Sequence, residues 1–225
     1  MTIEPRVLGD DPLPAPWTSG PPRTWLLRID DRPQPYAHTL DAQEQARAAA
    51  FARENLRTRY VASHLALRRL LGAYLGMEPG AVELTREPCP GCGGPHGRPA
   101  AVGARFHFNL SHAGDLAFIA FADTPVGADV EREQPAEVAA EVARMLHPDE
   151  RAELAALAAA ELPVAFARCW TRKEAYLKGL GTGLSESPTK TYVGTARTPS
   201  PPPGWTLTDI EVDHGYAAAI AVATG

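Results

Sequence analysis

The run from Trp170 to Lys178 places a carboxylate between two ammonium groups on a stretch with helical periodicity. On a helix, positions 170, 173, 174 and 177 share a face, and Lys178 follows Glu174 by one turn. Glu174 and Lys178 can therefore reach a single ligand, as in a metal-assisted phosphate site. Taken alone, an exposed Glu–Lys pair on a solvated helix explains the same residues, so a second motif has to decide.

Two strands joined by a tight turn are predicted upstream, over residues 116–121 and 126–131. Alternation along the second strand turns Asp129 and Glu131 to one face, with their side chains about 6.5 to 7 Å apart along the strand. Gly127 shares that face and leaves room for a ligand or a backbone segment to approach.

The carboxylates of Asp129, Glu131 and Glu174 are together a candidate Mg²⁺ site. Magnesium prefers oxygen ligands, usually keeps several waters and shares its coordination with phosphate oxygens. For the first two residues alone, a solvated edge strand is the commoner explanation. The metal prediction therefore depends on the helix bringing Glu174 to the strand.

Three short motifs stand in order along the chain, N-L-S-H at 109–112, G-A-D-V-E at 127–131 and W-x-x-K-E-A-x-x-K at 170–178. Together they resemble the 4'-phosphopantetheinyl transferases of the surfactin-synthetase-activating type, over roughly residues 40–185. The resemblance implies Mg²⁺-dependent transfer of the phosphopantetheine arm of coenzyme A to a serine of an apo acyl or peptidyl carrier protein, with release of 3',5'-ADP.

The same resemblance assigns roles to the residues of the motifs. It implies that Asp129, Glu131 and Glu174 hold Mg²⁺ against the pyrophosphate of coenzyme A. Glu174 would accept the proton of the carrier serine, either directly or through a metal-bound water. Lys178 would balance charge on the transferring and leaving phosphates.

Binding of coenzyme A is expected from basic and short polar side chains. Arg47 stands a few positions before Phe51, where the family places a basic residue on the 3'-phosphate, although Glu44 departs from a second basic position of some relatives. Arg98 lies in a G-R-P element, and its guanidinium suits phosphate or adenine. For most arginines of this region, a solvated basic helix is the competing interpretation. The predicted coenzyme A contacts are Arg47, Arg59, Arg98, Asn109, Ser111, His112, Lys173 and Lys178.

The segment 87–99 combines Cys89, Cys92 and His96 with several glycines and prolines. This C-x-x-C plus histidine pattern invites a zinc interpretation, but a closed structural site needs four ligands. His107 or another distant group would have to supply the fourth. We therefore expect a reduced loop whose path is fixed by its glycines and prolines.

Composition excludes some other classes of function. The formal net charge of −5 over 225 residues argues against bulk nucleic-acid binding. The chain has no apolar run of membrane-spanning length and no basic region followed by an apolar core at its amino terminus. A cytoplasmic protein without membrane contacts is expected, and the resemblance favours a monomer whose cleft lies within one chain.

The resemblance implies an α+β fold of two similar subdomains about a pseudo-twofold axis, each with a small antiparallel sheet and packed helices. Residues 1–124 would bind the nucleotide, residues 125–225 would carry the metal and catalytic residues, and the cleft would lie between them. The residue patterns predict helices over 41–75, 136–146, 149–160 and from Pro163 to the glycines at 179, 181 and 183, and strands over 25–29, 190–194, 205–212 and 216–222.

Two functions from other classes stay open at this point. A Mg²⁺-dependent phosphodiesterase or pyrophosphatase could use the same three acids to activate water. A non-catalytic module that binds carrier proteins or nucleotides could keep the surface without the chemistry, although an intact set of acids argues against it.

Overall fold

Two four-stranded sheets pack face to face, and a long helix covers the outer face of each. The computed structural model describes residues 2–9, 12–30, 37–182 and 186–225. The expected α+β class is confirmed. In the described ranges, none of the helices combines the length and the apolar character that crossing a membrane requires.

The elements alternate along the chain. The strands are β1 Thr2–Ile3, β2 Arg6–Val7, β3 Arg23–Arg28, β4 Leu84–Arg86, β5 Pro99–Ala101, β6 His107–Ala113, β7 Leu116–Ala122, β8 Val126–Arg132, β9 Trp205–Ile210 and β10 Tyr216–Ala223. The α-helices are α1 Ala42–Ala49, α2 Glu54–Leu75, α3 Ala136–Val142, α4 Pro148–Ala155 and α5 Leu162–Leu180. Short 3₁₀ turns lie at Ala37–Thr39, Pro79–Ala81 and Ala143–Met145.

The two large sheets are built in the same way. Their strand orders are β2-β3-β7-β6 and β1-β9-β10-β8, and β4 pairs with β5 in a third, small sheet. In each large sheet the last strand along the chain lies between two antiparallel partners, and a two-residue strand adds in parallel at one edge. Because β1 pairs with β9, residues 2–3 extend the sheet formed by residues 126–223.

Apolar side chains form three connected cores. Between the sheets, Phe118 and Ala120 of β7 pack with Ala128 and Val130 of β8. On one outer face, α2 packs its leucines on β3 and β7. On the other, α5 packs its small residues, Ala175 among them, on β9 and β10. Each sheet therefore packs against the other sheet on one face and against a helix on the other, and these apolar contacts hold the two helices in position.

Most predicted elements form, with corrections at the joins. The segments 116–121 and 126–131 are strands as expected, but the turn between them passes the chain from one sheet to the other. The stretch 41–75, predicted as one or two helices, forms α1 and α2, and Gly76 ends α2 as expected with a left-handed backbone, φ 68°. The motif helix begins at Leu162 and ends at Leu180, and Gly183 lies outside the described residues.

The predicted strand at 190–194 is wrong. This segment has no strand partner, because side chains of neighbouring helices bind its backbone instead. The amide of Val193 donates to Glu150 Oε1 at 2.7 Å, and Arg172 donates to the carbonyl oxygen of Gly194 at 2.9 Å. The segment is an irregular strap along α5 and does not belong to either sheet.

Gly127 allows the backbone of α5 to lie directly on β8. A Cβ atom at this position would overlap the carbonyl oxygen of Ala175 and the amide nitrogen of Gly179. A Cβ atom on Gly179 would in turn meet the ring of Trp205 at 2.6 Å. The room predicted beside Asp129 is therefore taken by a helix backbone.

Replacing Gly127 by alanine should destabilise the fold strongly. The new methyl group meets backbone atoms that cannot rotate away, so the loss should reach or exceed the about 1–3 kcal/mol typical of overpacked cores. Denaturant unfolding would measure it. Gly20→Ala is the matched control, because no heavy atom lies within 4 Å of a Cβ atom there. Equal stability of the two variants would contradict this account of the contact.

Candidate active site

The edges of the two large sheets meet at β6 and β8, and α5 packs across β8. Asn109 joins the two edges, since its Oδ1 accepts a hydrogen bond of 3.2 Å from the amide of Ala128. The side chain thus satisfies a backbone donor that has no strand partner on that side. Ser111 lies two residues further along β6 and shares the face of Asn109.

Asp129, Ser111 and Lys178 form a network between β8, β6 and α5. Lys178 Nζ donates to Asp129 Oδ1 at 2.5 Å and to Ser111 Oγ at 3.0 Å, and Ser111 Oγ donates to the same carboxylate oxygen at 2.8 Å. Asp129 is 1% exposed. Its second oxygen, Oδ2, is buried without a hydrogen-bond partner, which is costly unless another ligand satisfies it.

The three predicted carboxylates are electrostatic neighbours. Burial raises the pKa of Asp129, and the charge of Lys178 opposes that shift. Burial, together with the charges of Asp129 and Glu174, raises the pKa of Glu131 to about 7. Burial and the charge of Asp129 likewise raise the pKa of Glu174. The three carboxyl groups therefore hold their protons more tightly than free acids do.

The carboxylates are less tightly gathered than a preformed metal cage. In the described part of the chain, the one group of three histidine, cysteine or acidic residues with ligand atoms all within 4.8 Å of one another is Cys89, Cys92 and His96. In the acid cluster, Asp129 Oδ1 is bound to Lys178 instead.

Positive groups gather on the other side of the network, around His112. The pKa of His112 lies below its usual value because the ring is partly desolvated and because His64, Lys178 and Arg59 contribute positive charge nearby. Arg59 is itself paired with Asp115, with Nη2 2.7 Å from Oδ1. This concentration of positive charge suits an anion such as a phosphate group.

Arg47 lies apart from this cluster, on α1. Its side chain is exposed, and its guanidinium carbon is 5.7 Å from the centre of the Phe51 ring. An exposed guanidinium on an aromatic ring is available to a ligand arriving from solvent.

Arg98 binds the carboxyl end of α5. Its Nη1 donates to the carbonyl oxygens of Gly179 and Leu180 at 2.8 and 3.0 Å, and its Nη2 donates to Glu87 Oε2 at 2.5 Å. These carbonyls have no partner within the helix. Arg98 therefore holds the end of the helix that carries Glu174 and Lys178.

Lys173 is not brought to the cluster. It is 1% exposed, and its Nζ lies 2.7 Å from Glu150 Oε2 and donates to the carbonyl oxygens of Pro188 and Thr191. These contacts occupy the three donors of the ammonium group. Helical spacing predicted Lys173 near the ligand, but its ion pair with Glu150 on α4 directs the side chain into the protein interior.

Two buried ionic contacts of α5 were missed by sequence reasoning. Glu150 is fully buried and joins Lys173 to the strap at 190–194. Arg172, also fully buried, donates from Nε to Asp209 Oδ1 at 2.7 Å. The only local signal was the position of Glu150 in the first turn after Pro148, which indicates a capping role and not a buried ion pair.

Comparison with known proteins agrees with the chemistry of this site. The 4'-phosphopantetheinyl transferase superfamily matches residues 125–221, which contain β8 and α5. The chain is also 34% identical over 232 aligned positions to the 4'-phosphopantetheinyl transferase HetI of Nostoc sp., covering 92% of this chain and 93% of that protein. The chain belongs to the 4'-phosphopantetheinyl transferases.

Other relatives of this transferase match shorter parts of it. The 4'-phosphopantetheinyl transferase Sfp of Bacillus subtilis is 36% identical over 80 residues, 35% of each chain. The 4'-phosphopantetheinyl transferase AcpT of Salmonella typhimurium is 38% identical over 91 residues, 39% of this chain and 47% of that protein. The narrower assignment to the surfactin-synthetase-activating type stays a prediction.

In the metal-free transferase, the part of the stability that depends on Glu131 should fall as pH rises. The fold raises the pKa of Glu131 from about 4.5 to about 7, so the folded chain holds this proton more tightly than the unfolded chain. The contribution is full below about pH 4.5 and is lost as pH rises through about 7. The free energy of unfolding of the wild type, minus that of Glu131→Gln, should decrease over this range. A difference independent of pH would contradict the raised pKa.

Proposed function

We propose that this transferase moves the phosphopantetheine arm of coenzyme A to a serine of an apo acyl or peptidyl carrier protein at the junction of β6, β8 and α5. Membership of the 4'-phosphopantetheinyl transferases supports the reaction. The observation that carries the site is the ion pair between buried Asp129 and half-buried Lys178, which lies beside two further acids with raised pKa values. Acids and a cationic amine in one place suit phosphate chemistry on a divalent ion.

The residues of the acid cluster fit a magnesium ion. Asp129 Oδ2 is a buried oxygen without a partner, and burial together with the charge of Asp129 raises the pKa values of Glu131 and Glu174. Asp129, Glu131 and Glu174 would hold the ion, because Mg²⁺ prefers carboxylate oxygens. Bound there, the ion would neutralise charge on the pyrophosphate of coenzyme A.

Side chains of the protein perform the transfer. The hydroxyl oxygen of the carrier serine forms a bond to the β-phosphorus, while the bond from that phosphorus to the bridging oxygen breaks. The leaving group, 3',5'-ADP, keeps the electron pair of that bond. Glu174 is assigned as the acceptor of the serine proton, directly or through a water molecule. Lys178 and His112 stabilise the phosphate charge.

Coenzyme A would lie across the positive groups between the two sheets. The charges of Lys178 and Arg59 both lower the pKa of His112. We assign His112 and Arg59 to the pyrophosphate. Exposed Arg47 is assigned to the 3'-phosphate. Arg98 acts through α5, whose end it holds, and Lys173 is left out because its donors are occupied.

The finer expectations belong to the same proposal. The subdomains 1–124 and 125–225 and their pseudo-twofold axis are supported by the shared strand order of the two sheets, although β1 crosses the division. We also assign the chain to the surfactin-synthetase-activating type, with Mg²⁺ as its metal and 3',5'-ADP as its product. We also expect the chain to act in the cytoplasm. It would act as a monomer, since the acids, the amine and the arginines of the site all come from one chain.

Loss of the catalytic groups should abolish most of the transfer. Glu174→Gln and Lys178→Ala are each expected to slow the loading of an apo carrier domain by about 10²- to 10³-fold, as removal of a transition-state donor does elsewhere. Mass spectrometry of the carrier, incubated with coenzyme A and Mg²⁺, measures the added phosphopantetheine. Glu211→Gln and Lys190→Ala are the matched controls, because both side chains are exposed.

Each result of that assay has a clear meaning. Full activity in both catalytic variants would overturn the assigned site. Release of nucleotide without a gain of carrier mass would favour the phosphodiesterase or pyrophosphatase alternative. Neither product from the wild type with several apo carriers would favour a binding module.

Arg47 should affect coenzyme A but not an analogue without the 3'-phosphate. Arg47→Ala is expected to raise KM for coenzyme A by about 10-fold or more, the effect of one charge-assisted contact of about 1.5–3 kcal/mol. KM for 3'-dephospho-coenzyme A should hardly change. Arg57→Ala is the control, because Arg57 is exposed and pairs with Glu54. An equal increase of KM for both substrates would refute the contact with the 3'-phosphate.

A further inference from the structure

The loop that precedes β5 gathers three soft metal ligands outside the active site. Cys89, Cys92 and His96 each present a ligand atom, and these atoms all lie within 4.8 Å of one another. Cys92 Sγ is 3.0 Å from His96 Nε2. Cys89 is buried, whereas Cys92 and His96 are exposed, so one side of the cluster is open to solvent.

We propose that Cys89, Cys92 and His96 bind one Zn²⁺ ion. Two sulfurs and an imidazole nitrogen suit zinc far better than magnesium, which prefers oxygen. Zinc is held by four ligands in a tetrahedron, and three protein ligands with one open position is an established arrangement. The exposed side of the cluster leaves the fourth position to a water molecule. No distant residue is required, in contrast to the closed site considered from the sequence.

Backbone hydrogen bonds close the turn that carries the two cysteines. The amide of Cys89 donates to the carbonyl oxygen of Gly94 at 2.8 Å, and the amide of Gly93 donates back to the carbonyl oxygen of Cys89 at 2.7 Å.

Two glycines shape this turn. Gly93 has a left-handed backbone with φ 73°, which other residues adopt at a cost. A Cβ atom on Gly94 would lie 3.0 Å from the His96 ring and 3.3 Å from Cys92 Sγ. The turn therefore keeps the space where the imidazole and the second sulfur face each other.

A metal here would brace the segment that holds α5. The base of the loop is closed by hydrogen bonds from the amide of Glu87 to the carbonyl oxygen of Arg98, 2.9 Å, and from the amide of Gly97 to that of Glu87, 3.1 Å. Arg98 then binds the carbonyl oxygens of Gly179 and Leu180. Zinc would order this loop and, through Arg98, the end of the catalytic helix, without contact with the reacting groups.

The zinc content of the purified chain tests this site directly. The full chain, kept reduced, is given excess Zn²⁺ and desalted, and the metal per chain is measured by elemental mass spectrometry. The wild type should keep one zinc. Cys92→Ser and His96→Gln should bind zinc at least about 10- to 100-fold more weakly, since even loss of an outer partner of a ligand has that effect. Both residues are exposed, so these changes leave the core intact.

Cobalt substitution and controls separate a built site from loose binding. Co²⁺ in the wild type should show a thiolate charge-transfer band that Cys92→Ser loses. His214→Gln and Cys169→Ala, which lie outside the loop, should keep zinc and the band. A zinc-selective chelator in excess Mg²⁺ should lower the melting temperature of the wild type but not that of Cys92→Ser.

Three outcomes would overturn the proposal. Wild type with two free thiols in the loop and no zinc after desalting excludes the site. A disulfide between Cys89 and Cys92 that persists in reductant, seen as a loss of two hydrogens in mass, assigns the pair to another chemistry. Zinc retained equally by the two loop variants shows that the ion lies elsewhere. None of these readings uses coenzyme A or a carrier, so they are independent of the transfer reaction.

Discussion

The close contact between α5 and β8 determines the rest of the site. Gly127 and Gly179 have no side chains, so the helix backbone lies directly on the strand. At this separation Lys178 reaches Asp129 Oδ1 at 2.5 Å, and Glu174 is close enough to influence the pKa of Glu131. A helix placed farther out, with a core side chain between, would keep the same residues but separate their charges. Steric constraint on the backbone therefore comes before the electrostatics.

Charge around the junction is divided into two sides. Three carboxylates with raised pKa values lie on one side, and the groups that lower the pKa of His112 lie on the other. Lys178 acts on both sides, because it pairs with Asp129 and its charge lowers the pKa of His112. A cation and a polyphosphate brought together would satisfy both, whereas either one alone would leave the opposite side uncompensated. Under the proposed function, this division of charge favours an orientation of coenzyme A with its pyrophosphate at Lys178.

Local patterns predicted the parts of the site that depend on local geometry. Period-two alternation placed Asp129 on the correct face of β8, and helical spacing placed Lys178 one turn beyond Glu174. Tertiary partners decided the rest. Lys173 has the spacing of a site residue but is bound by Glu150 from α4, which no local pattern reveals. The segment 190–194 has strand-like residues, yet helix side chains bind its backbone. The convergence of Cys89, Cys92 and His96 depends on the geometry of their turn, which the sequence pattern alone does not give.

The buried ionic contacts of α5 hold in place the helix that carries Glu174 and Lys178. Arg172 uses its guanidinium on Asp209 and on the carbonyl oxygens of Gly194, Ala196 and Arg197, and Lys173 binds the neighbouring strap. Such pairs add little net stability, because desolvation offsets much of their attraction. They do fix the rotation of the helix about its axis, since each has partners in one direction only. Glu174 and Lys178 then face the junction before a ligand arrives, and preorganised charges need no rearrangement when phosphate charge develops.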